Sequence, residues 1–174
     1  MSAMDKPQNE SPRTELGAFL AKRGTLVVKQ FRKVGSLNGL YQTSADFDAI
    51  SIYSPGTFES RLNGVRITLT SRAEYERQED VFLDIDEIDS LSSAMVYTKQ
   101  VADEWQGQSR EYTEVLFTTK DNFRIGFFQV EKKQQAFARC GFGQGVSLYL
   151  IETSDLLAIR AICDNAKKYF ASLT

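Results

Sequence analysis

Residues 81–105, VFLDIDEIDSLSSAMVYTKQVADEW, decide how the rest of the chain is read. A short apolar run, VFL, meets the acids Asp84, Asp86, Glu87 and Asp89. Apolar positions then fall at Ile88, Leu91, Met95, Ala102 and Trp105, and with Thr98 filling the gap the steps are 3, 4, 3, 4 and 3. Those steps keep one stripe on a helix of about 3.6 residues per turn, so a strand hands over to a helix near Asp86. The acids sit where that helix begins. Carboxylates there accept from the unpaired first-turn N–H groups and meet the positive end of the helix dipole, worth about 0.3–1 kcal/mol each when exposed.

A shift of 68 residues lays this pattern on residues 149–173, YLIETSDLLAIRAICDNAKKYFASL. Asp84 falls on Glu152, Asp86 on Ser154, Glu87 on Asp155, Ile88 on Leu156, Leu91 on Ile159 and Met95 on Cys163. Thr98 then falls on Ala166, Ala102 on Phe170 and Trp105 on Leu173. One ungapped offset carries the cap, the acidic first turn and the apolar stripe, which predicts an internal repeat closed by a second helix beginning near Ser154.

Working outward, 174 residues is the size of one ordinary domain, and 42% apolar with 25% charged residues is a globular composition. No run approaches the roughly 18–20 apolar residues that span a bilayer, so no membrane is expected among the partners. A formal charge of -2 gives no global field to draw in nucleic acid or an anionic surface. The chain has no histidine, which removes imidazole-based triads and zinc sites. Cys140 and Cys163 lie in a strand-like run and on the helical stripe, where small buried hydrophobes belong, and no disulfide framework is expected.

Residues 1–13, MSAMDKPQNESPR, are polar, hold two of the three prolines and lack a basic start followed by an apolar core, so a disordered tail on a cytoplasmic protein is expected. Residues 14–174 are read as one globular domain with pseudo-repeats at 25–105 and 112–174. Ser11-Pro12 caps a short helix carrying Leu16, Phe19 and Leu20 and closed by Gly24. A strand begins at Thr25 with LVVKQFRKV, residues 35–48 read as loop, residues 49–53 as a second strand ended by Ser54-Pro55-Gly56, and residues 61–70 as a third strand that either bends at Asn63-Gly64 or is entered through a turn there. Residues 72–80 read as a charged loop into the strand at Val81. After the loop QGQSR, the runs YTEVLFTT, NFRIGFFQV, QQAFARC and VSLYLIE are four strands, with hairpin turns at Asp121-Asn122 and at Glu131-Lys132-Lys133 and the connection GFGQG before the last. The expected fold class is α+β: two tandem four-strand-plus-helix units, mostly antiparallel sheets packed on two amphipathic helices, with a short N-terminal helix.

Three constellations bear on chemistry. The acids Asp84, Asp86, Glu87 and Asp89 could gather a hard cation, but a calcium loop also needs a glycine at its sharp turn and a distal glutamate, so helix capping is the reading and no metal or cofactor is expected. Gly141, Gly143 and Gly145 form G-x-G-x-G, yet a strand rather than a helix follows, so the run is a hairpin connection. Arg124, Phe127, Phe128, Lys132, Lys133, Phe137, Arg139 and Phe142 interleave cations with aromatics over adjacent strands, the means by which sheets hold phosphates and stack bases. The competing arrangement puts the aromatics in the core and the cations in water, with Glu111, Glu114, Asp121 and Glu131 repelling phosphate. No nucleophile has a visible activating base, so no catalytic residue is assigned and an enzyme is not expected.

The order of elements over residues 25–174, two units of four strands and a helix, resembles the whirly and Pur-type folds that bind single-stranded nucleic acid. The lysine-glycine-lysine strand signature of whirly proteins has no counterpart, the nearest strand text being RIGFFQV and QQAFARC. That resemblance implies a single-stranded DNA or RNA binder using Lys29, Arg32, Lys33, Arg124, Phe127, Lys132 and Arg139. The run LDIDEIDSL also resembles a segment of an uncharacterised bacterial family, a likeness that implies no activity. Residues 81–110 hold six acids against two bases. On that local charge the sequence favours a non-enzymatic binding or assembly module, acting by self-association or by docking a protein, over a nucleic-acid binder.

Overall fold

A computed structural model gives two antiparallel meanders of four strands, each followed by a helix. It describes residues 12–141 and 145–173; most of the expected tail, the Ser11 cap, Phe142 and Gly143 lie outside them. A short helix α1 (Glu15–Leu20) precedes β1 (Val28–Asn38), β2 (Thr43–Tyr53), β3 (Leu62–Ser71), β4 (Arg77–Asp84) and helix α2 (Ile85–Trp105). The second unit is β5 (Arg110–Thr118), β6 (Arg124–Glu131), β7 (Lys133–Cys140), β8 (Val146–Tyr149) and helix α3 (Ala158–Ala171). Each sheet keeps its strands in chain order.

The two units repeat in detail. Asp84 and Glu87 form a capping box at the start of α2, and Glu152 and Asp155 form the same box 68 residues later. The stripe Ile88, Leu91, Met95, Thr98 and Ala102 is buried, and so are its partners Leu156, Ile159, Cys163, Ala166 and Phe170. Trp105 and Leu173 pack against the core from its margin. The strands before the helices run on a shift of 67, since Val81 and Leu83 match Leu148 and Leu150 as buried residues. The extra residue is Ile151, which is exposed, and the second helix accordingly opens with a 3-10 turn, Thr153–Leu157, before α3 begins at Ala158. An α-helix beginning near Ser154 was expected; the inserted residue displaces its start.

One apolar core joins the units. Helix α3 lies against β1 and β2 of the other unit's sheet, whereas α2 touches β3 and β4 of its own sheet and β5 and β6 of the next. Each unit's first hairpin also clasps the other unit's last strand at matching residues. The Tyr149 amide donates to Thr43 Oγ1 (3.3 Å), and the Phe82 amide donates to Asp121 Oδ2 (2.9 Å); Tyr149 is Phe82 shifted by 67. Leu40 adds an isolated bridge to Tyr149.

Several expected boundaries differ. Residues 35–48 are not a loop: β1 runs on to Asn38 and β2 starts at Thr43. Ser44, Asp46 and Asp48 point outward from β2 while Ala45, Phe47 and Ala49 are buried, so a polar outer face hid a period of two. The charged stretch before Val81 is likewise strand from Arg77, at a sheet edge where charges are tolerated. Strand β3 is continuous through Asn63-Gly64, where a bend or an entry turn was expected, and the glycine serves close packing instead: a Cβ on Gly64 would strike the Leu16 side chain. Helix α1 is six residues long and capped by Thr14, not Ser11. Its first N–H groups, on Glu15 and Leu16, donate to the buried Asp84 carboxylate at 2.9 and 3.1 Å.

Candidate functional site

Strand alternation gives each sheet an inner face on the common core and an outer face. In the first sheet the outer face is occupied. Leu16 of α1 packs on Ile50 and Ile52, with Phe19, Leu20, Leu62 and Phe82 around them. Two outer cations meet carboxylates there: Lys33 pairs with Asp46 at 2.9 Å and Arg66 with Asp48 at 3.0 Å, Arg66 also lying 4.4 Å over the Phe31 ring. The hydrogen bond and charge of Asp46 hold the Lys33 ammonium above its ordinary range, so it is charged at any physiological pH.

The second sheet's outer face differs in both respects. An aromatic row crosses all four strands. Tyr112 of β5 stacks on Phe128 of β6 (5.5 Å, 30° between planes), Phe128 meets Phe137 of β7 (5.6 Å), and Phe137 is the register partner of Tyr149 on β8. Tyr41, from the β1–β2 turn, closes the row edge-on to Tyr149 at 5.9 Å. Tyr112 and Tyr41 are 58% and 69% exposed, so the row ends in two open rings. One ladder step away, Thr118, Arg124, Arg139 and Ser147 are consecutive register partners across the same four strands. Two guanidinium groups therefore face each other across a strand pair with hydroxyls on either side and no acid in the row. Like charges placed this way destabilise a sheet unless an anion bridges them. The Arg124 Nε atom is buried without a hydrogen-bond partner, and Arg124 makes no ion pair among the described residues.

Backbone strain falls at the edge of this face. Tyr41 and Gln42 both have φ of 56°, the left-handed pair of a tight hairpin turn that asparagine and glycine normally fill. Holding two bulky residues there costs about 1–3 kcal/mol each, and such outliers concentrate at functional sites. Here the strain presents Tyr41 to Tyr149.

The acids singled out in the sequence do other work. Asp84, Asp86 and Glu87 bring ligand oxygens within 4.8 Å of one another. Lys120 Nζ, however, reaches Asp86 at 2.9 Å and Asp84 at 3.4 Å, and Glu87 accepts from the amides of Asp84 (3.0 Å) and Lys120 (2.7 Å). Asp89 pairs with Lys167 at 2.8 Å, joining α2 to α3. Of the acids expected to repel phosphate, Asp121 is turned to the Phe82 amide, Glu131 lies at the β6–β7 turn with φ of 53°, and Glu114 stays on the outer face but accepts from Tyr112 Oη. Both cysteines are unpaired and buried, and burial pushes both thiols up to about 12, so neither is a thiolate at neutral pH.

Of the residues named from sequence, the fold brings Arg124 and Arg139 together. Phe127 is a correction: it is fully buried, edge-on to Trp105 at 5.8 Å, and cannot stack on a base because its position on β6 faces the core. Lys132 sits in the exposed β6–β7 turn. Lys29, Arg32 and Lys33 stay on β1 in the other sheet, where Arg32 turns toward Tyr169 of α3 (5.2 Å). The sequence reading passed over Tyr112 and Tyr149, which two-residue alternation in YTEVLFTT and VSLYL would have put outside. Tyr41 carried no local signal, because its place depends on the bridge between units. No family model matches this chain, and no curated protein matches it. Among the described residues no helix is long and apolar enough to cross a membrane.

Proposed function

We propose that this chain is a non-enzymatic binding module whose working surface is the outer face of the second sheet, and that single-stranded nucleic acid is the ligand held there. The observation that carries the reading is the row Thr118, Arg124, Arg139, Ser147 beside an aromatic row spanning four strands. Paired guanidiniums suit a phosphate, and half-exposed rings one step away suit the bases on either side of it. The resemblance in element order to whirly and Pur-type proteins supports the same ligand. Two buried, unpaired cysteines support a cytoplasmic setting.

The sequence alone favours self-association or protein docking, on the near-zero net charge and the six acids against two bases in residues 81–110. The objection that acids near these strands repel phosphate is eased at Asp121, which is turned to the Phe82 amide, and stands at Glu114, which keeps its charge on the outer face while accepting from Tyr112. Self-association through the same half-exposed aromatics remains the second reading, favoured by the open rings of Tyr41 and Tyr112.

Fluorescence polarisation with labelled single-stranded DNA and RNA across a salt series tests the choice. Micromolar binding at ~150 mM salt is expected, with a slope in log K against log salt of roughly -0.7 for each phosphate engaged. Replacing Arg124 and Arg139 by alanine should weaken it by tenfold or more, about 1.4 kcal/mol. No binding at low salt would sink the nucleic-acid reading. Sedimentation that shows a dimer broken by Tyr112→Ser would then put self-association in its place.

A further inference from the structure

Away from that face, a cleft of about 340 Å³ opens between the edge of β1 and the last turns of α3, lined by Arg32, Lys33, Val34, Asn165, Lys168, Tyr169 and Ser172. Its size is at the lower end of small-ligand sites. Three of the seven lining residues are cations and none is an acid. The walls are fixed. Arg32 lies 5.2 Å over the Tyr169 ring, which restrains the guanidinium, and Asn165 Nδ2 donates to Val34 O at 3.1 Å, tying the helix to the strand where β1 bulges between Lys33 and Gly35. Gly35 allows the approach, since a Cβ there would strike Ile162 Cγ1 at 2.4 Å.

The charges are not spent equally. Lys33 already holds Asp46, so its contribution is largely offset. Among the described residues neither Arg32 nor Lys168 makes an ion pair. The last carbonyls of α3 do not fill the cleft with bare negative ends, because the Ser172 amide bonds to Lys168 O and Tyr169 O and the Leu173 amide to Phe170 O. Tyr169 gives one face to Arg32 and packs against Phe170 at 5.9 Å, so no open ring is left for a base. A compact oxyanion fits this donor set and a planar heterocycle does not.

We infer that this cleft is a second ligand site, a receptor for a phosphate group gripped by Arg32 and Lys168. The inference is independent of the sheet face, and the phosphate could be free or carried at the end of a nucleic-acid strand.

NMR titration of the full, ¹⁵N-labelled chain with inorganic pyrophosphate tests it. Saturable shifts are expected at the amides of Lys33, Val34, Tyr169 and Ser172. Arg32→Gln combined with Lys168→Gln should weaken binding by tenfold or more, since each loses a charge-assisted hydrogen bond. Arg160→Gln, which removes the same charge from the exposed start of α3, should leave it unchanged. An Arg124→Ala and Arg139→Ala variant should also keep these shifts, which separates failure of this site from failure of the sheet reading. A 5′-phosphorylated oligonucleotide that competes while its 5′-hydroxyl counterpart does not would assign the phosphate to a strand end; competition by neither assigns it to a free small molecule. Absence of saturable shifts at about 10 mM pyrophosphate, too weak to matter in a cell, or an equal loss in Arg160→Gln, overturns the site.

Discussion

The two sheets share a plan and differ on their outer faces. Matching inward pairs, Ile67–Val81 in the first sheet and Ala138–Leu148 in the second, puts Asp46 and Thr68 where Arg124 and Arg139 stand, and Arg66 and Phe82 where Phe137 and Tyr149 stand. The first face sets Lys33 and Arg66 against neighbouring carboxylates and hides its apolar side chains under α1. The second places two guanidinium groups side by side and carries a row of rings that no helix covers. A scaffold that covers one sheet face with a helix and leaves its copy open, with adjacent cations and rings, makes the open copy the better candidate for a ligand.

The largest test of the shared plan lies in the core. Phe127 occupies the place of Ala49, and it fills the space that the small Ala136 and Ala138 leave beneath Trp105. Phe127→Ala should cost about 3–5 kcal/mol in urea unfolding. A loss below ~1 kcal/mol would mean that the second half of the core is not packed as described.

Next comes the pair of caps. Asp84 is buried and accepts from Glu15, Leu16 and Lys120, whereas its counterpart Glu152 is exposed and serves its own helix and the Ser154 hydroxyl. Asp84→Ala should therefore cost about 2–3 kcal/mol and Glu152→Ala only about 0.5–1 kcal/mol. Equal losses would show that α1 is not held by Asp84 and that the first face is not truly covered.

The first hairpins of the two units make a smaller contrast. The β1–β2 turn forces Tyr41 and Gln42 to φ of 56°, while the β5–β6 turn uses Asn122 at 61°, a residue that tolerates that region. Tyr41→Asn with Gln42→Gly should stabilise the chain by about 1 kcal/mol in thermal or urea melts and weaken oligonucleotide binding. Loss of stability would remove the argument that strain is spent to present Tyr41.

How much of this was legible follows from what each feature depends on. The helices and their repeat were readable because capping and a stripe of period 3.6 are local, and the offset of Asp84 to Glu152 needs no tertiary knowledge. The length of β1 and β2 was not, since Ser36, Asn38, Ser44, Asp46 and Asp48 look like loop residues until one face is known to meet water. Arg124 and Arg139 could be suspected as cations on adjacent strands, but their facing depends on the two-residue turn that sets the register of β6 and β7. Phe127 was misplaced because two successive phenylalanines, 127 and 128, must point opposite ways and nothing local says which is inside. The clasp between units had no signature at all, as Tyr41, Thr43 and Asp121 find their partners only after the sheets pack.

The clasps themselves give the last and smallest contrast. The Tyr149 amide is held by the neutral hydroxyl of Thr43, and the Phe82 amide by the carboxylate of Asp121. Burial holds the Asp121 carboxyl above the ordinary carboxylate range, against the opposing pull of the Phe82 hydrogen bond and of Arg13, with Asp84 adding to the rise. A carboxyl whose folded-state value is raised binds its proton more tightly when folded. Its contribution to stability is complete below the unfolded-state value and is lost as pH rises through the folded one. Asp121→Asn keeps an acceptor for Phe82 without a charge to desolvate, so its stability relative to the parent chain should be better at pH 7 than at about pH 3 in paired urea titrations. Thr43→Val, on the other clasp, should lower stability by the same amount at both pH values, because no ionisable group is involved. An Asn variant that loses ground as pH rises would mean that the carboxylate, not the acceptor alone, holds the second clasp.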